Sequence, residues 1–191
     1  MCLKKLCVLL GFIFFAVTAI GQVRLTDLVN PIIGTNGMGH TFPGACAPFG
    51  IVQLSPETDT IPQNVNGKYQ PEVYAYCAGY QYRDQTIVGF SHTHLSGTGH
   101  SDLGDIMIMP VNGPLRLNPG TATDPGSGYR SRFSHETEKC APGYYEVILS
   151  DYHIKVQLTA TQRVGVHQYT FPDQKGRFIL DLGHGIYNYK G

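Results

Sequence analysis

The sequence predicts an all-β protein built as an antiparallel sandwich, and three observations lead there. From Gln22 onward, short runs rich in β-branched and aromatic residues alternate with Gly, Pro, Ser and Asp punctuation. One run alternates strictly: Ile154, Val156, Leu158 and Ala160 share one face while His153, Lys155, Gln157 and Thr159 share the other, as in a sheet with one buried side. No segment keeps a helical period long enough to build a bundle, and no repeat or low-complexity tract intervenes.

Composition supports this class. With 23 Gly, 12 Pro and 12 Tyr, no Trp and only 15% charged residues, the chain reads as a loop-decorated β protein. Its 191 residues suit one domain with a real core. Fourteen basic residues balance fourteen acidic ones, so there is no electrostatic footprint for nucleic acid or an anionic membrane.

Residues 1–21, MCLKKLCVLLGFIFFAVTAIG, come first and are set apart from the fold. Lys4 and Lys5, an apolar stretch from Leu6 to Val17 and the small-residue exit Ala19-Ile20-Gly21 read as a secretory signal cleaved before Gln22. The apolar stretch is short for a bilayer span, and no cysteine stands at the exit for lipid attachment. The expected product is residues 22–191, periplasmic or extracellular, with no membrane anchor. Of its cysteines, Cys46, Cys77 and Cys140 are odd in number and lack a CxxC pair, so at most one internal disulfide forms.

The next stretch, Gly34 to Pro48 (GTNGMGHTFPGACAP), is a loop, followed by a strand over Phe49 to Leu54 and a second loop over Ser55 to Glu72. Strands are expected at Gly79 to Tyr82, Thr86 to Ser91 and Asp105 to Val111. Four further runs, Tyr144 to Ser150, His153 to Thr161, Val164 to Phe171 and Arg177 to Leu182, are joined by short connections and read as an antiparallel meander.

The stretch Gly89 to Asp105, GFSHTHLSGTGHSDLGD, is too polar for core and draws attention as a site. His92 and His94 are two apart at what reads as a strand end, so both side chains leave one face. That spacing suits zinc or iron if His40, His100, Asp102 or Asp105 supplies a third ligand; a hydrogen-bonded polar cluster is the other reading. Gly34, Gly37 and Gly39 are spaced GxxGxG with no following Lys-Ser or Lys-Thr, which argues against a nucleotide loop. They permit close backbone approach, which a polyhydroxylated ligand can exploit. Ser96 sits in no GxSxG elbow, and Asp102 and Asp105 suit loop hydrogen bonds better than paired acid and base.

Three long motifs in order, VNPIIGTNGMGHTFPGACAPFGIVQLSPET, GYQYRDQTIVGFSHTHLSGTGHSDLGDIMIMP and YRSRFSHETEKCAPGYYEVILSDYHIKVQLTATQRVGVHQYTFP, resemble the amino-terminal domain of glycoside hydrolase family 92, the exo-acting α-mannosidases. The resemblance runs from about Val29 to the end. It implies a supersandwich-like, galactose-mutarotase-like β-sandwich, incomplete at its C-terminus, followed in the family by an (α/α)6 barrel. It also implies calcium-dependent hydrolysis of terminal α-mannosides with inversion, in which one carboxylic acid protonates the leaving oxygen and another carboxylate activates water. The family's catalytic groups and calcium ligands lie mainly in the barrel, so none is assigned to this chain and the chain alone is expected to be inactive.

By the same resemblance His40, Phe42, His92 and His94 line one wall of the sugar pocket, the imidazoles bonding hydroxyls and the ring packing on an apolar sugar face. The implied partners are mannose-containing glycans and the barrel. Two departures stand out: His100-Ser101 replaces Cys-Gly in the GTGCGDLGD pattern, and Asn36 replaces a more usual glycine. The competing classes are a stand-alone carbohydrate-binding module and a metalloenzyme built on His92-x-His94.

Overall fold

The computed structural model describes residues 24–97, 103–173 and 175–185. The signal segment, His100, Ser101 and Asp102 lie outside the described residues. Strand β1 is Ala45–Cys46, β2 Gln53–Glu57, β3 Asn64–Val65, β4 Lys68–Tyr69, β5 Thr86–Ile87, β6 Gly89–Ser91 and β7 Met107–Val111. β8 is Ser131–Arg132, β9 Lys139–Ala141, β10 Tyr144–Leu149, β11 Ile154–Ala160, β12 Gly165–Thr170 and β13 Arg177–Asp181. Three short 3-10 turns, at Leu25–Leu28, Pro71–Tyr76 and Pro125–Ser127, complete the described elements.

Two sheets form the sandwich. The first has strand order β1-β2-β6-β7-β13 and the second β12-β11-β10-β9, with every paired neighbour antiparallel. The alternation over residues 153–161 places Ile154, Val156 and Leu158 inside, as expected. They join Tyr145, Val147 and Leu149 of β10 against Ala45, Leu54, Phe90, Met107, Met109 and Val111 of the first sheet. Burial of these twelve side chains, roughly 1.5–3 kcal/mol for each of the larger ones, is the driving force for closing the sheets. β12 turns Gly165, His167 and Tyr169 inward, where Tyr169 meets Phe178 of β13 with ring centroids 5.2 Å apart.

The structure corrects several strand expectations. β13 does not extend the meander; it crosses to the first sheet and pairs with β7, Ile179 opposite Met109. The run from Phe49 begins as a turn: Gly50 N–H donates to Ala47 O, Phe49 has φ +57° and is fully exposed, and pairing starts only at Gln53. No strand forms at Gly79 to Tyr82, where Gly79 has φ +80° and lies against the Glu57 carboxylate. The Thr86 to Ser91 run is split at Val88, because β5 pairs with β8 in a separate two-stranded sheet while β6 pairs with β2. Part of the expected loop after Ser55 is instead the end of β2 and the β3–β4 hairpin. Among the described residues no helix is long and apolar enough to cross a membrane.

Candidate functional site

Two strands bring the first cluster together. β2 carries Gln53 and Glu57, β6 ends at Ser91, and the chain then turns His94 inward until only 2% of it is exposed. His94 Nε2 lies 2.8 Å from Glu57 Oε1, and His94 Nδ1 lies 2.8 Å from the Gln53 carbonyl oxygen. The ring is thus held at both nitrogens, between a carboxylate and a backbone carbonyl oxygen. Ser91 Oγ donates to the same Glu57 oxygen. Burial by itself would push the Glu57 carboxyl up, but the His94 charge and the hydrogen bonds from His94 and Ser91, helped by the field of His184, hold it below its ordinary value. The space is closed by Gly79, where a Cβ would stand 2.3 Å from Glu57 Oε2. Phe42 packs on this pair from outside, its ring centroid 5.2 Å from that of His94.

His92 goes elsewhere. β6 has ended at Ser91, so the two-residue alternation no longer applies and His92 and His94 do not share a face. His92 instead reaches the second sheet: its Nδ1–H donates to Ile106 O at 2.7 Å, and its Nε2 lies 3.1 Å from Nε2 of His167 on β12. His167 Nδ1 is 2.7 Å from the Tyr169 hydroxyl. The protons can be placed with both rings neutral: Tyr169 donates to His167 Nδ1, and His167 Nε2–H donates to His92 Nε2. Burial, followed by the proximity of the His92 charge, lowers the His167 pKa to about 4.

This has a measurable result. Between pH 6.5, the ordinary imidazole value, and about 4, the unfolded chain binds a proton at His167 that the folded chain refuses, so this residue makes stability rise with pH across that window. Asp59 acts in the opposite sense, since burial raises its carboxyl to about 7 and the folded chain holds that proton longer. The contribution of His167 is therefore read by difference. Urea midpoints at pH 7 and pH 5 should show a larger loss on acidification in the wild type than in His167→Gln; an equal loss contradicts the assignment.

His40 occupies a third position. Its backbone is left-handed at φ +53°, its ring meets Tyr74 edge-on with centroids 4.9 Å apart, and its Nε2 is buried with no hydrogen-bond partner among the described residues. Its carbonyl oxygen accepts from Gly97 N–H at 2.7 Å, tying the loop of residues 34–48 to the loop that follows β6. Phe42 lines a cleft of about 750 Å3 together with Val29, Pro31, Ala47, Ser96 and Pro142.

The four residues expected to line one wall thus divide. Phe42 and His94 are in contact, His40 is joined to the neighbouring loop through Gly97, and His92 belongs to a separate bridge between the sheets. Glu57, Gln53 and His167 did not emerge from the sequence, because their partners are 37 to 75 residues away, and Tyr169 enters only through its neighbour His167. Cys46 and Cys140 are free thiols, and Cys77 Sγ donates to Gly97 O at 3.2 Å. Among the described residues no group of three or more His, Cys, Asp and Glu side chains is placed to hold a metal ion, so the donors present do not fit a calcium site and no calcium step is derived from them.

Comparison with known proteins gives this geometry its setting. A family GH92 α-mannosidase from Bacteroides thetaiotaomicron, solved with mannoimidazole, is 44% identical with a TM-score of 0.76, over 85% of this chain and 20% of that one. The GH92 family glycosyl hydrolase ccman5 is 30% identical with a TM-score of 0.64, over 84% of this chain and 20% of that one. An uncharacterized secreted glycosidase of Arthroderma benhamiae is 27% identical over 85% of this chain and 19% of its own length. The chain therefore spans about a fifth of the relatives it matches. The model for the glycosyl hydrolase family 92 N-terminal domain matches residues 28–191, nearly all of the β-sandwich and both loops that carry His40, Phe42, His92 and His94, and the chain belongs to that family.

Proposed function

We propose that this domain serves an exported, calcium-dependent, inverting exo-α-mannosidase acting on mannose-containing glycans, and that it supplies one wall of the sugar pocket against an (α/α)6 barrel. The observation that carries the reading is His40. A non-glycine residue held at φ +53° whose buried ring nitrogen has no partner among the described residues stores strain and an unmet hydrogen bond, a combination that a ligand hydroxyl relieves. Phe42, two residues on, offers an aromatic face to the apolar side of a sugar. In this reading His94 works from behind, holding Phe42 in place, and His92 braces the two sheets. The acid, the base and the calcium ligands belong to the barrel. The relatives' α-mannosidase activity supports the substrate class.

The test joins this chain to a family 92 barrel and follows calcium-dependent release of an aryl α-mannoside. His40→Ala should lower kcat/KM by roughly tenfold or more, about 1.4 kcal/mol of lost transition-state stabilisation, while the sandwich stays folded. Unchanged turnover removes His40 from the wall. Titration of the isolated chain with α-mannobiose separates the competing class: a half-site binds weakly, whereas saturable sub-millimolar binding identifies a self-sufficient carbohydrate-binding module.

A further inference from the structure

The bridge between His92 and His167 has a feature that a simple brace does not require. Each ring has its Nδ1 fixed by an oxygen, His92 on Ile106 O and His167 on the Tyr169 hydroxyl, both at 2.7 Å. The two Nε2 atoms lie 3.1 Å apart, with the ring centroids 4.9 Å apart. A ring whose one nitrogen is fixed by an oxygen, leaving the other for a ligand bond, is the arrangement by which proteins orient imidazole toward a metal.

We propose that His92 and His167 form a binding site for one divalent transition metal of the zinc class, held between their two Nε2 atoms and bridging the sheets. The separation suits it. With metal–nitrogen bonds of about 2.0–2.1 Å, two ligands lie roughly 2.9 Å apart at a right angle and roughly 3.3 Å apart at the tetrahedral angle. The observed 3.1 Å falls between these values, so a shift of a few tenths of an ångström admits the ion. Imidazole donors select zinc, copper or nickel over calcium or magnesium, which separates this site from the calcium of the proposed reaction.

The proton inventory also closes. His92 already carries its proton on Nδ1 and presents a lone pair at Nε2. His167 moves its proton from Nε2 to Nδ1, where it donates to the Tyr169 oxygen, and the Tyr169 hydroxyl proton turns away. No proton is released, and water completes the coordination, so affinity is modest. The ion crosslinks β12 to the end of β6, and its binding stabilises the folded state by mass action.

The experiment titrates the chain with zinc chloride while following the imidazole nitrogens by NMR. One equivalent of zinc should displace the Nε2 resonances of His92 and His167 together and leave His94 and His135 in place. His92→Gln and His167→Gln should each weaken binding at least about tenfold, whereas Tyr169→Phe, which keeps both ligands, should retain it. The NMR arm uses the unaltered chain, so an unfolded variant does not decide the matter. Zinc shifts confined to other histidines, unmoved Nε2 resonances at saturating zinc, or unchanged affinity in folded variants lacking either ligand overturns the site.

Discussion

His94→Ala should lower the unfolding free energy by about 3–5 kcal/mol, the cost of leaving a buried carboxylate without the side chain hydrogen-bonded to it. His94 and Glu57 have side chains 0% and 1% exposed and touch at 2.8 Å. Without the imidazole, the Ser91 hydroxyl is the side-chain hydrogen bond left to the Glu57 carboxylate among the described residues, and the Gln53 carbonyl loses the Nδ1–H donor. The effect has a pH signature. The folded pKa of Glu57 lies below its ordinary value of 4.5, so the pair's contribution is fully present above that pH and disappears as the pH falls through the folded value. Wild type and variant should therefore converge in acid. Urea denaturation at pH 7 and again below pH 4 checks both parts, and a loss under about 1 kcal/mol at pH 7 contradicts the buried pair.

Gly44→Ala is the second large effect, at about 2–3 kcal/mol, near the upper end for overpacking. A Cβ at Gly44 would stand 1.9 Å from the Leu54 carbonyl oxygen and 2.6 Å from Ser55 Cα. Both are backbone atoms of β2 in the buried core, so no rotamer change makes room, and β1 must peel from β2. That movement carries Phe42 away from His94. Gly37→Ala is the contrast: nothing lies within 4 Å of its Cβ position, and only the left-handed backbone at φ +60° opposes it, at roughly 1–2 kcal/mol. Limited proteolysis should cut residues 34–48 readily in the Gly44 variant and much less in the Gly37 variant. Equal cutting in both would show that contact between β1 and β2 does not place the loop.

The meander from β10 to β12 was legible because its cues are local. Strict alternation fixes the buried face, and the register follows from short connections, such as the one that sets Leu149 opposite Ile154. The sheet exchange of β13 left no such cue, since its partner β7 lies far back in the chain. Asn66-Gly67 between β3 and β4 is a strong two-residue turn signal, with φ +52° and +76°, yet its polar flanks read as loop. At the site, the motif containing His92 and His94 was visible but its geometry was not. Period-two reasoning holds inside a strand, and this strand stops one residue before His92. Glu57 was hidden for another reason: an acidic residue after Ser-Pro reads as surface until its histidine is known.

The crossing of β13 also has a kinetic meaning. The hairpins of the second sheet close loops of a few residues, whereas β7 and β13 pair Val111 with Arg177 and Met107 with Asp181, across the whole of the intervening meander. Loop-closure entropy rises with that separation and falls on the folding rate. The order of assembly therefore runs against the order of synthesis: the meander, made later, can form on its own, and the first sheet is complete only when the chain returns from it. Until then the inner side of β7, with Met107 and Met109, lacks its outer neighbour. A cell producing this domain must shelter that surface for as long as the return takes.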